Sequence, residues 1–127
     1  MYVCGPTVYN FAHIGNARPA VVFDVLFRLL RRQYGAEHVI YARNITDIDD
    51  KIINRANETG VNWQEVNRKY IAAFYEDMGK LNITAPTEEP KATDHIPEML
   101  DMIQSLVDQD KAYETGGDLV YLSLIHT

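Results

Sequence analysis

The sequence predicts an α/β fold, a partial open parallel sheet with added helices and a C-terminal hairpin. A strand-length apolar run, an amphipathic helix and a second strand-length run follow one another within the first 43 residues. Such a unit normally joins two parallel strands by a right-handed crossover, with ligands at the strands' carboxyl ends. The chain has 127 residues, 46% hydrophobic and 24% charged, which suits one compact domain with a packed core.

Met1 to Cys4 is a short β-prone run stopped by Gly5-Pro6. From Pro19 to Tyr34, Val22, Val25, Leu26, Leu29 and Leu30 recur at helical spacing. Arg28, Arg31 and Arg32 gather toward the end of that helix and Gly35 lies just beyond it. His38 to Arg43 is the second strand, closed by the polar run Asn44 to Asp50. Residues 47 to 59 make a helix that opens on three acids and stops at Gly60. Another follows from Asn62 to Lys80, with Trp63, Val66, Tyr70, Ala73, Phe74 and Leu81 as its core face.

Asn82 to Thr93, with Pro86 and Pro90, reads as a turn-rich connection, so no third parallel partner is expected. Asp94 can cap a helix that has Pro97 in its first turn and Ile96, Met99, Leu100, Ile103 and Val107 as a buried stripe. Ala112 to Thr115 and Leu119 to Leu124, around Gly116-Gly117-Asp118, form a hairpin.

The formal charge is −6 but uneven, with residues 1–60 at +1 and residues 61–127 at −7. The overall field therefore does not draw the chain to phosphate backbones, and nucleic-acid contact requires a local basic patch. Cys4 is the one cysteine, which excludes an internal disulfide and a Cys-x-x-Cys metal knuckle and points to a reducing cytosol. The apolar stretch Pro19 to Leu30 is broken by Asp24 and Arg28 and falls short of the ~18 residues of a membrane span, so no membrane partner is expected.

Gly5 to Asn16 lies between a strand end and a helix start, where unpaired N–H groups and the helix dipole favour phosphate. Glycine permits close approach, and His13 and Asn16 can donate to oxygen or, equally, serve only as helix caps. A lone cysteine such as Cys4 is usually a small buried hydrophobe. Asp47, Asp49, Asp50 and Glu58 match a calcium loop only superficially, because Ile52 stands where the loop needs glycine; they read as acids at a helix start. Arg28, Arg31 and Arg32 read as a solvated face.

Three blocks, Met1-Tyr2-Val3-Cys4-Gly5-Pro6-Thr7-Val8-Tyr9, His13-Ile14-Gly15-Asn16 and Arg43-Asn44-Ile45-Thr46-Asp47-Ile48-Asp49-Asp50-Lys51, agree in order and spacing with one family. On them the chain resembles the cysteinyl-tRNA synthetases from Met1 to roughly Leu122. The resemblance implies a Rossmann-like, HUP-type parallel sheet of the class I synthetases. Residues 1–111 would be the first half of the nucleotide-binding catalytic domain and 112–127 the start of an inserted β segment.

It further implies that cysteine attacks the α-phosphate of ATP, assisted by Mg²⁺, to form cysteinyl adenylate, and that the cysteinyl group passes to tRNA(Cys) in the cytoplasm. Catalysis would rest on positioning and on stabilising charge on phosphate oxygens. By resemblance, His13, Gly15 and Asn16 bind ATP, His13 and Asn16 being the catalytic pair; Gly5, Thr7 and Thr46 line the amino-acid pocket. The same resemblance implies that Cys4 is a ligand of a zinc ion that would hold the substrate thiolate and so reject serine.

The chain lacks the Lys-Met-Ser-Lys-Ser loop, the later zinc ligands and the anticodon-binding helices, and Ser123 to Thr127 departs from the usual continuation. It is therefore expected to be an inactive fragment carrying half an active site. Two other functions fit the same residues, a sister ligase joining cysteine to an amino sugar and a silent nucleotide-binding remnant.

Overall fold

The computed structural model describes residues 1–115 and 118–121. It divides the chain into two compact units, Met1–Asp94 and His95–Thr127. Among the described residues no helix is long and apolar enough to cross a membrane.

In the first unit, β1 (Tyr2–Val3) and β2 (Ala42–Arg43) pair in parallel, Tyr2 beside Ala42 and Val3 beside Arg43. The predicted strand–helix–strand order thus holds, although β2 is shorter than expected. His38 belongs instead to a 3₁₀ turn, Ala36–His38. A parallel bridge between Thr7 and Thr46 carries the pairing past the strand ends.

A third segment lies on the far side of β2, where parallel bridges join Ala42 to Glu88 and Ile45 to Lys91. This corrects the expectation of an irregular connection. Arg43 N donates to the Glu88 carbonyl at 3.0 Å and Ile45 N to the Pro90 carbonyl at 2.9 Å. In return, Glu88 N and Ala92 N each donate at 3.0 Å, to the Tyr41 and Ile45 carbonyls respectively. Pro90 contributes only its carbonyl, so its missing N–H costs this ladder nothing; prolines are admitted to a sheet in that way.

α1 (Ile14–Tyr34) crosses between the paired strands and starts five residues before the expected Pro19. His13 caps it, and the helix tolerates Pro19 near its start at the loss of one internal bond. Its buried residues are Ala17, Ala20, Asp24 and Phe27, not the aliphatic row that periodicity selects. Val22, Val25 and Leu29 are 56%, 61% and 59% exposed. The two alanines have the smallest side chains on the helix, and they let its backbone approach the rest of the unit closely.

α2 (Asp50–Thr59) is capped by Asp49, whose carboxylate accepts from Lys51 N at 2.9 Å, and ends at Gly60 in the left-handed region, φ 69°. Asp47 is not one of its opening acids. It is buried, and its carboxylate accepts from Thr93 N at 3.0 Å and Thr93 Oγ1 at 2.6 Å, while its carbonyl accepts from Asn67 Nδ2. Asp47 therefore ties the third sheet segment to the next helix.

That helix, α3 (Trp63–Lys80), presents Val66, Tyr70, Phe74 and Met78 inward at successive four-residue steps. Val66 and Tyr70 join Val8, Ile45, Ile52 and Ala56 in one core cluster; Phe74 and Met78 join Ala17 and Ala20 in another. Leu81, expected on this face, is 47% exposed. The helix ends in a Schellman motif, with Ile83 N donating to Met78 O at 3.1 Å and Asn82 N to Gly79 O at 2.9 Å. Asn82 takes the left-handed position at φ 62°, which its short polar side chain tolerates.

In the second unit, α4 (Ile96–Asp108) has His95 rather than Asp94 at its cap, with no side-chain bond. None of its expected stripe is fully buried. It closes on another Schellman pair, Lys111 N to Leu106 O at 2.8 Å and Asp110 N to Val107 O at 2.9 Å. β3 (Ala112–Thr115) and β4 (Asp118–Tyr121) are antiparallel, from Ala112 opposite Tyr121 to Thr115 opposite Asp118. The hairpin is as expected, while its glycine turn and residues 122–124 lie outside the described residues.

Candidate functional site

The N-terminus of α1 is built by reciprocal capping. Gly15 N donates to His13 Nδ1 at 3.0 Å, and His13 N donates to Asn16 Oδ1 at 3.1 Å. The alternative reading of these residues as caps is therefore realised, but capping does not use up either side chain. With Nδ1 accepting, the imidazole carries its proton on Nε2; with Oδ1 accepting, Asn16 keeps its amide donors. What both side chains retain is donors. The helix has 21 residues and no acid in its first turn, so nothing offsets its positive end.

Gly15 is required by the same arrangement. A Cβ there would lie 2.6 Å from His13 Cε1 and 2.9 Å from Nδ1, displacing the ring. Gly5 has a structural reason of its own, since a Cβ would stand 1.6 Å from the Asn44 carbonyl oxygen. Asn44 is the hub of this corner. Its Oδ1 accepts from Gly5 N at 2.8 Å and from Tyr2 OH at 3.1 Å, and its Nδ2 donates to Thr46 Oγ1 at 3.3 Å.

Cys4 is exposed, so the expectation of a small buried hydrophobe fails. It lines a cavity of about 140 Å³ together with Gly5, Gly15, Asn16 and Arg43. The adjoining cavity, about 110 Å³, is lined by Thr7, His13 and Asn16, with Tyr70 and Phe74 as one wall. Asn16 is common to both, so Cys4 and His13 stand on one continuous rim. Thr46 lines neither cavity and lies behind Thr7 through the strand bridge. Both cavities are smaller than the ~300–1,000 Å³ of clefts that enclose a ligand.

Arg43 is the functional candidate that sequence reasoning missed; an arginine closing an apolar strand is the signal that marks it. Its side chain is 6% exposed and pairs with Glu89 at 2.7 Å through Nη2 and 3.2 Å through Nε. The guanidinium lies 5.2 Å from the Phe74 ring centroid, and Nη1 is buried without a partner. Tyr75 donates its hydroxyl to the other Glu89 oxygen. Partial burial, reinforced by that carboxylate, pushes the Tyr75 phenol up to about 12.

A second ionic clasp braces α1. Asp24 accepts from Arg28 Nε at 2.8 Å and from Thr84 N at 3.0 Å, while Arg28 also donates to the Asn82 carbonyl at 2.7 Å. Burial alone would raise the Asp24 carboxyl, but these donors outweigh it and hold the group below its ordinary value.

Among the described residues no three His, Cys, Asp or Glu side chains gather to hold a metal ion. Cys4 is a single sulfur donor, and the usual tetrahedral zinc site needs four ligands. These residues alone do not build that site.

Over residues 1–126 the chain matches the family described as the tRNA synthetases class I (C) catalytic domain. It is 60% identical over 121 residues to a cysteine–tRNA ligase of Maricaulis maris, covering 95% of this chain and 26% of the relative. It is 58% identical over 124 residues to a cysteine–tRNA ligase of Anaplasma phagocytophilum, covering 98% and 26%. A cysteine–tRNA ligase of Ruegeria sp. is 56% identical over 121 residues, with coverage of 95% and 26%. The chain thus spans about a quarter of the length of the curated relatives it matches.

Proposed function

The chain belongs to the class I (C) tRNA synthetase catalytic-domain family, and from that premise we propose that it carries the phosphate-binding half of a site that activates cysteine with ATP for transfer to tRNA(Cys). The observation that carries this reading is the cap of α1. His13 and Asn16 spend their acceptors on the helix and keep donors at an uncompensated positive end, which is complementary to anionic oxygens such as those of phosphate. Gly15 leaves room for the imidazole, and Arg43, its charge paired with Glu89, lines the neighbouring cavity.

Gly5 lines the cavity of Cys4, Thr7 the adjoining one, and Thr46 is bridged to Thr7 behind it; on this reading the three would belong to the amino-acid pocket beside the triphosphate cradle. The one sulfur donor of Cys4 would be this chain's share of any zinc site; no step is drawn through the metal. Mg²⁺ would accompany ATP. The relatives' names favour tRNA over an amino sugar as acceptor, and we place the reaction proposed for this chain in the cytoplasm.

Asn16→Asp tests the donor argument with little change of shape. The new carboxylate still accepts from His13 N, and an acid in the first turn is favourable by about 0.3–1 kcal/mol. Thermal stability should hold or rise slightly. ATP affinity, measured by calorimetric titration, should fall at least about tenfold, because a donor to phosphate becomes a negative charge. Unchanged ATP affinity in this variant would remove the phosphate role from α1.

A further inference from the structure

Beside its buried stripe α3 carries a second row. Trp63, Asn67, Ile71 and Tyr75 follow one another at four-residue steps, so they stand one above the other on one side of the helix. All four line a cavity of about 560 Å³, to which Asp47 and Lys91 also contribute. It shares no lining residue with the two cavities of the α1 rim. Unlike them, it falls in the ~300–1,000 Å³ range of clefts that take a small molecule.

Asn67 is the residue that apolar packing does not explain. It is 6% exposed, and its Nδ2 donates to the Asp47 carbonyl. A carbonyl can only accept, so this bond fixes which end of the amide is which. The other end, Oδ1, is buried without a hydrogen-bond partner, and a buried acceptor is costly until something donates to it. Trp63 stands one helical turn before it and Ile71 one turn after. The cavity also has two exposed cations, Arg68 on α3 and Lys91 on the third sheet segment. Among the described residues neither is in an ion pair. The Asp47 carboxylate is engaged by Thr93, and the Tyr75 hydroxyl by Glu89. The buried and charged groups left for a ligand are therefore one acceptor and two cations, beside an aromatic and aliphatic wall.

We infer that this cavity binds a small aromatic carboxylate that carries a hydroxyl or N–H donor on its ring. The ring lies against Trp63 and Ile71, the donor meets Asn67 Oδ1, and the carboxylate meets Arg68 and Lys91. Each part of such a molecule answers one feature of the lining. A neutral aromatic alcohol leaves the cations unmet, and a plain aromatic carboxylate leaves the buried acceptor unmet. The site stands apart from the α1 rim and does not depend on the phosphate reading.

The test is a titration of the 127-residue chain with 4-hydroxybenzoate, followed by the fluorescence of Trp63, the one tryptophan. A saturable quench is expected. Benzoate, which lacks the donor, should bind about tenfold more weakly, the worth of one buried hydrogen bond. Arg68→Gln and Lys91→Gln should each weaken 4-hydroxybenzoate about threefold, as the loss of an exposed ion pair does. Both should leave the melting temperature and the tenfold gap to benzoate unchanged. In Asn67→Leu the two probes should bind alike. That variant also loses the bond to Asp47, so its readout is the ratio of the two affinities and not either one; should it fail to fold, the two probes and the two surface variants decide alone. The inference is overturned by the lack of a saturable quench, by equal affinities of the unaltered chain for the two probes, or by indifference to both surface variants. Displacement of 4-hydroxybenzoate by ATP overturns it too, because the probe would then sit at the α1 rim. A chain that binds ATP but not the probe sinks this inference alone; one that binds the probe but not ATP sinks the phosphate reading alone.

Discussion

Gly15 has no side chain because the space a Cβ would fill belongs to the His13 imidazole, 2.6 Å away at its nearest atom. Gly15→Ala therefore sets two effects against each other. Pushing the ring aside forfeits the cap, about 1 kcal/mol, while replacing glycine in a helix by alanine returns about the same. The melting temperature should hardly move, yet ATP affinity should fall about tenfold as the Nε2–H leaves its position, a loss of the size of one charge-assisted hydrogen bond. A calorimetric titration beside a thermal scan separates the two; equal losses in both would mean that Gly15 serves the helix alone. The motif residues at this corner are legible in the sequence because each is an exception to ordinary preference: a glycine opening a helix, a histidine cap, an asparagine three residues on. What the sequence hides is the partner that makes Gly5 obligatory, since the clash with Asn44 O arises between segments 39 residues apart.

At the scale of elements, the strand–helix–strand unit, α2, α3 and the closing hairpin could all be read from period and punctuation. Two readings failed for definite reasons. Pro86 and Pro90 look like breakers, but a parallel edge needs a given residue's carbonyl or its N–H and not always both, so a proline rides on the sheet unseen by propensity. In α1 the period was right and the face was wrong. The helix is apolar on two sides, Ala17, Ala20 and Phe27 on one and Val22, Val25 and Leu29 on the other. A moment argument selects the bulkier side, whereas close packing selects the alanines. Truncation decides between them. Phe27, 3% exposed, should cost about 3–5 kcal/mol when changed to alanine, and Val25→Ala should stay within about 0.5 kcal/mol. Chemical denaturation of the two variants measures both; a large loss from Val25→Ala would put the aliphatic face inside after all.

For the whole molecule, the two faces of α1 and the shallow rim have a common meaning. α1 leaves a second apolar row, Val22, Val25 and Leu29, uncovered within this unit, and this chain spans about a quarter of the length of its relatives. On the proposed reading, the cavities beside Cys4 and His13, about 140 and 110 Å³, would offer one wall to a triphosphate and one sulfur to a metal. Binding and turnover should therefore come apart. Positioning an attacking carboxylate in line with the α-phosphate contributes about 7–11 kcal/mol to such a reaction, and a single wall fixes one reactant at most. The chain of 127 residues should bind ATP through α1 yet show no cysteine-dependent exchange of pyrophosphate into ATP, even with zinc and Mg²⁺ supplied. Exchange that requires cysteine and disappears in Asn16→Asp would show the opposite, that this rim alone orients both reactants, and the cradle would then have to be counted as a whole active site rather than as half of one.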